Sequence, residues 1–198
     1  MLELRGIRVL SLSPIELTLP DGKCISIQGE SGSGKSMLLR AVADLDPHDG
    51  DAALDGEACS RMPAPEWRRR VVYVPADSGW WHDAVRDHFP PEADLPALLR
   101  EMDLKPDLAD GPVSRLSTGE RQRLALLRAL GPQVRVLLLD EPTSGLDERG
   151  TRRVEAWLQR AMQAGVGVLL VTHSPEQAKR LAQRRMILRD GVLEELTA

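Results

Sequence analysis

Residues 29–36 read GESGSGKS, a turn of small residues that ends on a lysine and a hydroxyl. The run fits the spacing G-x-x-x-x-G-K-[ST] and lies between an apolar stretch, CISIQ, and a helical pattern. In that setting Gly29, Ser31, Gly32, Ser33 and Gly34 are small enough for successive backbone N–H groups to wrap a β-phosphate. Lys35 is placed to neutralise β- and γ-phosphate oxygens, and the Ser36 hydroxyl to ligate Mg2+. Met37 completes the candidate phosphate-binding set, without the second hydroxyl that such loops often carry.

A second group of reactive side chains lies downstream. VRVLLLDEPTSGLD at 134–147 carries an apolar run into two adjacent acids. Neighbouring strand residues point to opposite faces, so Asp140 and Glu141 need different roles. Asp140 suits Mg2+, by direct ligation or from the second shell, and Glu141 suits polarising an attacking water. VGVLLVTHS ends another apolar run at His173. Ligands gather outside the carboxyl ends of parallel strands, which would bring His173 to a γ-phosphate or to the water. RLSTGERQR at 115–123 adds a helix start. Ser117 and Glu120 have the spacing of a capping box ahead of Leu124, Leu127 and Leu130. Ser117, Thr118 and Gly119 also leave N–H groups and hydroxyls at the positive end of a helix, which makes an anion site.

Positioning these groups requires alternating strands and helices. The apolar runs predict strands at Ile25–Gln28, Val71–Val74, Val134–Leu139, Val166–Val171 and Met186–Leu188. Helical periodicity marks Lys35–Ala43, Leu95–Met102, Glu120–Leu130, Thr151–Ala164 and Pro175–Ala182. Continuous apolar strands between helices predict an α/β fold with a mostly parallel sheet covered on both faces. The first ~20 residues and DAALDGEA at 51–58 alternate like antiparallel strands. Residues 77–115, rich in Pro, Asp and Trp, read as an inserted, mainly helical lobe.

Composition narrows the partners. The chain of 198 residues is 42% hydrophobic and 28% charged, enough to bury a core within one domain. Its net charge of −4, without a long basic run, argues against nucleic acid as the main partner. Cys24 and Cys59 lack metal-type spacing and fit a reduced cytosolic protein. No apolar run approaches the ~18–20 residues of a membrane span, and the first residues lack the pattern of a secretory leader.

Read in order, GESGSGKS, LSTGE at 116–120, VLLLDE, SGLD at 144–147 and His173 resemble the ATP-binding-cassette (ABC) ATPase family. The resemblance covers about residues 1–195. It implies a P-loop NTPase core with a mostly parallel sheet flanked by helices, an N-terminal antiparallel β portion and a short helical lobe. Within a single ABC ATPase domain, 1–75 and 131–198 would form the RecA-like β core, and 76–130 the helical subdomain bearing the signature LSTGE. The implied activity is ATP binding and hydrolysis, with ATP and Mg2+ as cofactors, Glu141 and His173 catalytic, and Ser36 and Asp140 at the metal. The implied assembly is a head-to-tail pair, with a second copy or a similar chain. Each nucleotide would be sandwiched between the phosphate loop of one subunit and Ser117, Thr118 and Gly119 of the other, with Asp147 at the boundary. A separate transmembrane permease would be energised, from a cytoplasmic position on the inner face of the cell membrane.

Three departures from the family pattern matter. Ala76 stands where the family usually has a metal- and water-reaching Gln. Either Asp77 substitutes, or coupling differs, or hydrolysis is slow. No aromatic residue near the chain start is available to stack on adenine, so Val9 or Leu10 is expected to pack on the base. The segment before the signature is short, and Trp80 and Trp81 in it either form an exposed interface pair or fill the lobe's core. RRR at 68–70 reads as a solvated face or dimer rim. An alternative to the transporter subunit is a soluble or degenerate ABC ATPase acting as a nucleotide-dependent dimerisation module. Ala76 keeps it open, and Glu141 and His173 argue against it.

Overall fold

The computed structural model describes residues 1–10 and 12–196. The chain opens with an antiparallel pair, β1 (Leu2–Arg8) and β2 (Ile15–Leu19), then enters β3 (Cys24–Gln28) and helix α1 (Lys35–Val42). It returns with β4 (Asp49–Leu54) and β5 (Glu57–Ala58) before α2 (Ala64–Arg70) and β6 (Val71–Val74). The middle segment holds α3 (Leu95–Glu101) and three short 3-10 turns. Then follow α4 (Thr118–Ala129), β7 (Val136–Asp140), α5 (Glu148–Gln163), β8 (Gly167–Val171), α6 (Pro175–Leu181), β9 (Arg184–Arg189) and β10 (Val192–Glu195).

Two sheets result. One is antiparallel, in the order β2-β1-β4-β5; β2 alternates buried and exposed residues along IELTL, as a strand with one wet face must. The other runs β10-β9-β3-β8-β7-β6 and is parallel from β9 to β6, with β10 added antiparallel at its edge. β7 and β8 are buried along their whole length, which explains their unbroken apolar sequences. The period-2 alternation of these strands feeds two cores. Ile25, Ile27, Leu138, Leu169 and Val171 pack with α1 and the antiparallel sheet. Leu137, Leu139, Val168 and Leu170 pack with α4, α5 and the middle segment, including Phe89, Leu95 and Leu99.

Differences from the sequence reading lie at element ends and in polar strands. Helix α4 begins at Thr118 because its cap is Ser117, and α5 begins at Glu148 because Asp147 accepts from the Gly150 N–H at 2.7 Å. Strand β7 starts only at Val136, since the Val134 N–H closes a turn onto Gly131. Helix α2, whose one buried large side chain is Trp67, and the polar strand β10 were not expected. The parallel arrangement puts the carboxyl ends of β3, β6, β7 and β8 on one edge, where such folds hold ligands.

Candidate functional site

The chain leaves β3 through loop 29–34 and enters α1 at Gly34. Gly34 is the N-cap residue, with φ 101°, and no side chain caps the helix. A Cβ at Gly34 would be strained at that φ and would stand 2.9 Å from Leu12 Cδ2. The first-turn N–H groups of α1 therefore have no side-chain acceptor, and the positive end of the helix faces the loop. Buried Lys35 turns its ammonium back onto the loop, donating to Gly29 O (2.9 Å), Glu30 O (2.7 Å) and Ser33 Oγ (3.4 Å). Loop residues 29–33, the end of β9 and its turn into β10, residues 187–191, line a cavity of 530 Å³, a size that suits a small ligand. A wider hollow of 750 Å³ over the first turns of α5 lacks the glycine-rich loop, so the chemistry favours the smaller one.

The acids meet this loop from β7. Asp140 is the last residue of the strand and is 7% exposed. The Tyr73 hydroxyl of β6 donates to Asp140 Oδ2 at 3.1 Å. Burial, and then the Asp140 charge, push the Tyr73 phenol up from its ordinary value, which keeps it protonated as a donor. Glu141 leaves the strand at φ 50°, in left-handed backbone, with its N–H donating to Val171 O at 3.0 Å. Simple alternation of strand faces therefore does not aim Glu141, contrary to expectation; the left-handed turn does. Its Oε1 is buried and lies 3.4 Å from His173 Nε2, an approach whose geometry falls short of a hydrogen bond. Burial pushes the Glu141 carboxyl up from its ordinary value; His173 and Lys35 pull the other way and Asp140 adds to the rise. These influences bring Lys35, Asp140, Glu141 and His173 into one electrostatic neighbourhood. The His173 side chain is 58% exposed, just beyond β8.

Helix α4 begins as a complete capping box. The Ser117 Oγ accepts from Glu120 N at 3.3 Å, and Glu120 Oε2 accepts from both Ser117 N and Ser117 Oγ at 2.8 Å. Burial works against the Glu120 charge, but these bonds outweigh it and hold its carboxyl below the ordinary range. Ser117 and Thr118 are exposed. Two buried amides, one from α4 and one from α6, brace the chain at and just after the acids, and the sequence reading missed both. Gln122 Nε2 donates to the Glu141 carbonyl at 2.8 Å, and Gln177 Nε2 to Thr143 Oγ1 at 2.9 Å. Their signal was a polar residue on the apolar face of a helix.

The departures now have positions. Ala76 and Asp77 are exposed and border a 70 Å³ cleft with Ser78, Thr118, Arg121 and Gln122. Trp81 is 66% exposed and Trp80 half-buried, so one indole is open and the other packs on the core. The Arg128 guanidinium lies 4.7 and 4.6 Å from their ring centres, within cation–π range. Val9 is buried in the core and cannot reach a base, whereas Leu10 is 86% exposed. In the RRR run, Arg68 bonds Asp44 O, Arg70 pairs with Glu66, and Arg69 is exposed. Cys24 and Cys59 are free thiols.

The donor set fits a hard cation. Ser36 and Asp140 offer oxygen ligands, and no group of three or more His, Cys, Asp or Glu that could hold a metal occurs among the described residues. Two protein oxygens suit Mg2+, which keeps several waters and takes phosphate oxygens as its other ligands.

Comparison with known proteins identifies the lineage. The family described as ABC transporter matches residues 12–144. The rice (Oryza sativa subsp. japonica) Protein STAR1 is 35% identical over 206 residues, covering 98% of this chain and 59% of that protein. The sulfate/thiosulfate import ATP-binding protein CysA of Mycobacterium tuberculosis (strain ATCC 25618 / H37Rv) is 35% identical over 202 residues, covering 94% and 57%. The phosphate import ATP-binding protein PstB 2 of Natronomonas pharaonis is 33% identical over 208 residues, covering 93% and 73%. The chain thus spans less than two thirds of the length of most of these relatives. A solved dimeric structure of a bacterial ABC transporter cassette superposes with a TM-score of 0.85 at 23% identity, covering 100% of both chains.

Proposed function

The chain belongs to the ABC transporter family, and from that premise we propose that it binds and hydrolyses ATP to energise a separate membrane permease through head-to-tail dimerisation. One observation carries the reading: at the carboxyl edge of the parallel sheet the buried Glu141 carboxylate lies 3.4 Å from His173 and next to Asp140 in the chain, within reach of the Lys35 charge. Gly29, Ser31, Gly32, Ser33, Gly34, Lys35, Ser36 and Met37 form the phosphate seat. Ser36 and Asp140 hold Mg2+, which supplies charge compensation for the phosphates when bound. Glu141, whose burial raises its proton affinity, polarises the attacking water and takes up its proton; His173 stands beside it at the γ-phosphate. Exposed Leu10 offers the base an aliphatic contact.

The second half of each site comes from the partner copy. Ser117, Thr118 and Gly119 of one subunit receive the γ-phosphate held by Lys35 of the other. A two-fold axis satisfies both sites at once, with Asp147 at the boundary. Residues 1–75 and 131–198 act as the RecA-like core and 76–130 as the helical subdomain. The working place is the cytoplasmic face of the membrane, where the permease docks. No helix among the described residues is long and apolar enough to cross a membrane.

The experiment is Glu141→Gln with ATP and Mg2+ on a sizing column. An ATP-dependent dimer is expected, because the nucleotide is bound and not hydrolysed. A monomer under saturating ATP would sink the sandwich. Exposed Ala76, which has no ligand atom, favours one second reading: a dimerisation module that hydrolyses very slowly. Wild-type turnover at the level of the Glu141→Gln variant would select it.

A further inference from the structure

We infer that Tyr73 is a positioning residue that fixes the carboxylate of Asp140 for the metal, an inference that rests on the reading of this site as an Mg2+–nucleotide site. Tyr73 is the only tyrosine in the chain. Its place follows from register. Tyr73 pairs with Leu138 across β6 and β7. Leu138 and Asp140 are two residues apart on β7 and share a face. Tyr73 and Leu138 both belong to the core that packs on α1, so the phenol lies on the face from which α1 presents Lys35 and Ser36. One diagonal step along β7 carries its hydroxyl to Asp140 Oδ2, at 3.1 Å.

The chemistry of this bond suits a metal ligand. Asp140 is buried, and the phenol supplies the one side-chain hydrogen bond it receives among the described residues. A carboxylate held at one oxygen cannot swing, and its other oxygen stays available to a cation. The donor is neutral, so it orients Asp140 without cancelling its charge. An arginine or lysine in the same place would form an ion pair and compete with the metal. The same strand leads to Ala76, which has no polar side-chain atom. Partners that orient a metal-ligating carboxylate commonly alter affinity by ~10–100-fold when removed.

Tyr73→Phe removes the hydroxyl and keeps the ring. Nucleotide affinity is measured by calorimetry in EDTA and across a Mg2+ titration, with Asp140→Asn alongside. In EDTA the variant is expected to bind ATP within about twofold of wild type. The Mg2+ concentration that gives half of the affinity gain should rise at least fivefold. Matching Mg2+ dependence in Tyr73→Phe and a responsive wild type overturns the inference alone. Equal loss with and without Mg2+ also overturns it, since the hydroxyl would then serve the fold. A wild type indifferent to Mg2+ overturns the functional reading together with the inference. A second measurement leaves the native residue contacts in place: 3-fluorotyrosine at the single tyrosine gives one 19F resonance. Mg2+ added to the ATP-bound protein should shift that resonance, and Asp140→Asn should abolish the shift. A resonance unmoved by Mg2+ overturns the inference.

Discussion

Helices α1 and α4 begin in opposite ways. Helix α1 opens on Gly34, without any capping side chain. Helix α4 opens on Ser117, with both halves of a capping box made. Both starts carry the partial positive charge of a helix N-terminus, yet only α1 leaves it without a protein acceptor. The start of α4 is already served by the Glu120 carboxylate, and what it offers a visitor is the N–H groups of Thr118 and Gly119. A phosphate arriving there meets a nearby negative charge. It would be accommodated only with positive company of its own, which in the proposed dimer comes from Lys35 of the opposite subunit and from Mg2+. On that reading the difference would separate a seat that binds nucleotide unaided from one that receives a phosphate already held elsewhere.

The largest expected effect tests the unaided seat. Lys35→Ala should weaken ATP binding by 100-fold or more, about 2.7 kcal/mol, in calorimetry on the monomer; undiminished affinity would break the assignment of the α1 start. Ser117→Arg should leave monomer affinity within about twofold and stop hydrolysis. Lost binding in the monomer would mean that α4 serves the site of its own chain and that the contrast is false.

Stability sharpens the comparison further. Gly34→Ala should cost more than ~1 kcal/mol, from left-handed strain and from the close Leu12 methyl. Ser117→Ala should cost about 1 kcal/mol through the lost cap, or roughly 2–4 °C of melting temperature for a chain of this size. If Ser117→Ala is neutral, the box contributes nothing and the small residues serve the phosphate alone.

The smallest effect concerns Glu141. The unfolded chain ionises this carboxyl at its ordinary value, while the folded chain holds the proton to higher pH because the group is buried. Between those values the unfolded state binds fewer protons, so stability falls as pH rises, and the loss is complete above the folded value. Glu141→Gln should therefore raise the melting temperature at pH 7 and leave it unchanged below about pH 4, where the native carboxyl is protonated in both states. A gain that persists in acid would point to relief of something other than charge burial.

Much of this site could be read from sequence because its parts are contiguous. The loop 29–36, the acids at 140 and 141 and the box at 117–120 each sit inside one short motif, so local spacing was enough. The contacts between motifs were not readable. Tyr73 and Asp140 are 67 positions apart, and Gln122 and Glu141 are 19 apart; only the strand register and helix packing reveal them. Strands β7 and β8 announced themselves by continuous apolar runs, whereas β9 showed only its apolar centre, Met186–Leu188, and β10 hides among charges; a turn at Asp190 and Gly191 joins the two. That turn had a hairpin signature in its Asp-Gly pair. Val9 and Leu10 are adjacent apolar residues with opposite fates, because Leu10 sits at φ 46° where the chain turns out of β1.

Helix α4 has one more property. Ser117 caps its first turn, and Arg128 near its last turn is wedged against the indoles of Trp80 and Trp81. At 1.5 Å per residue the two ends are about 16 Å apart. Gln122 pins the rod near its middle by its bond to the Glu141 carbonyl. A tilt of about 10° around Gln122 would carry Ser117 and Arg128 in opposite directions by roughly 1.5 Å each. The helix is a lever with arms of nearly equal length, so an adjustment at the capped end emerges at the tryptophans with about the same size and the opposite sense.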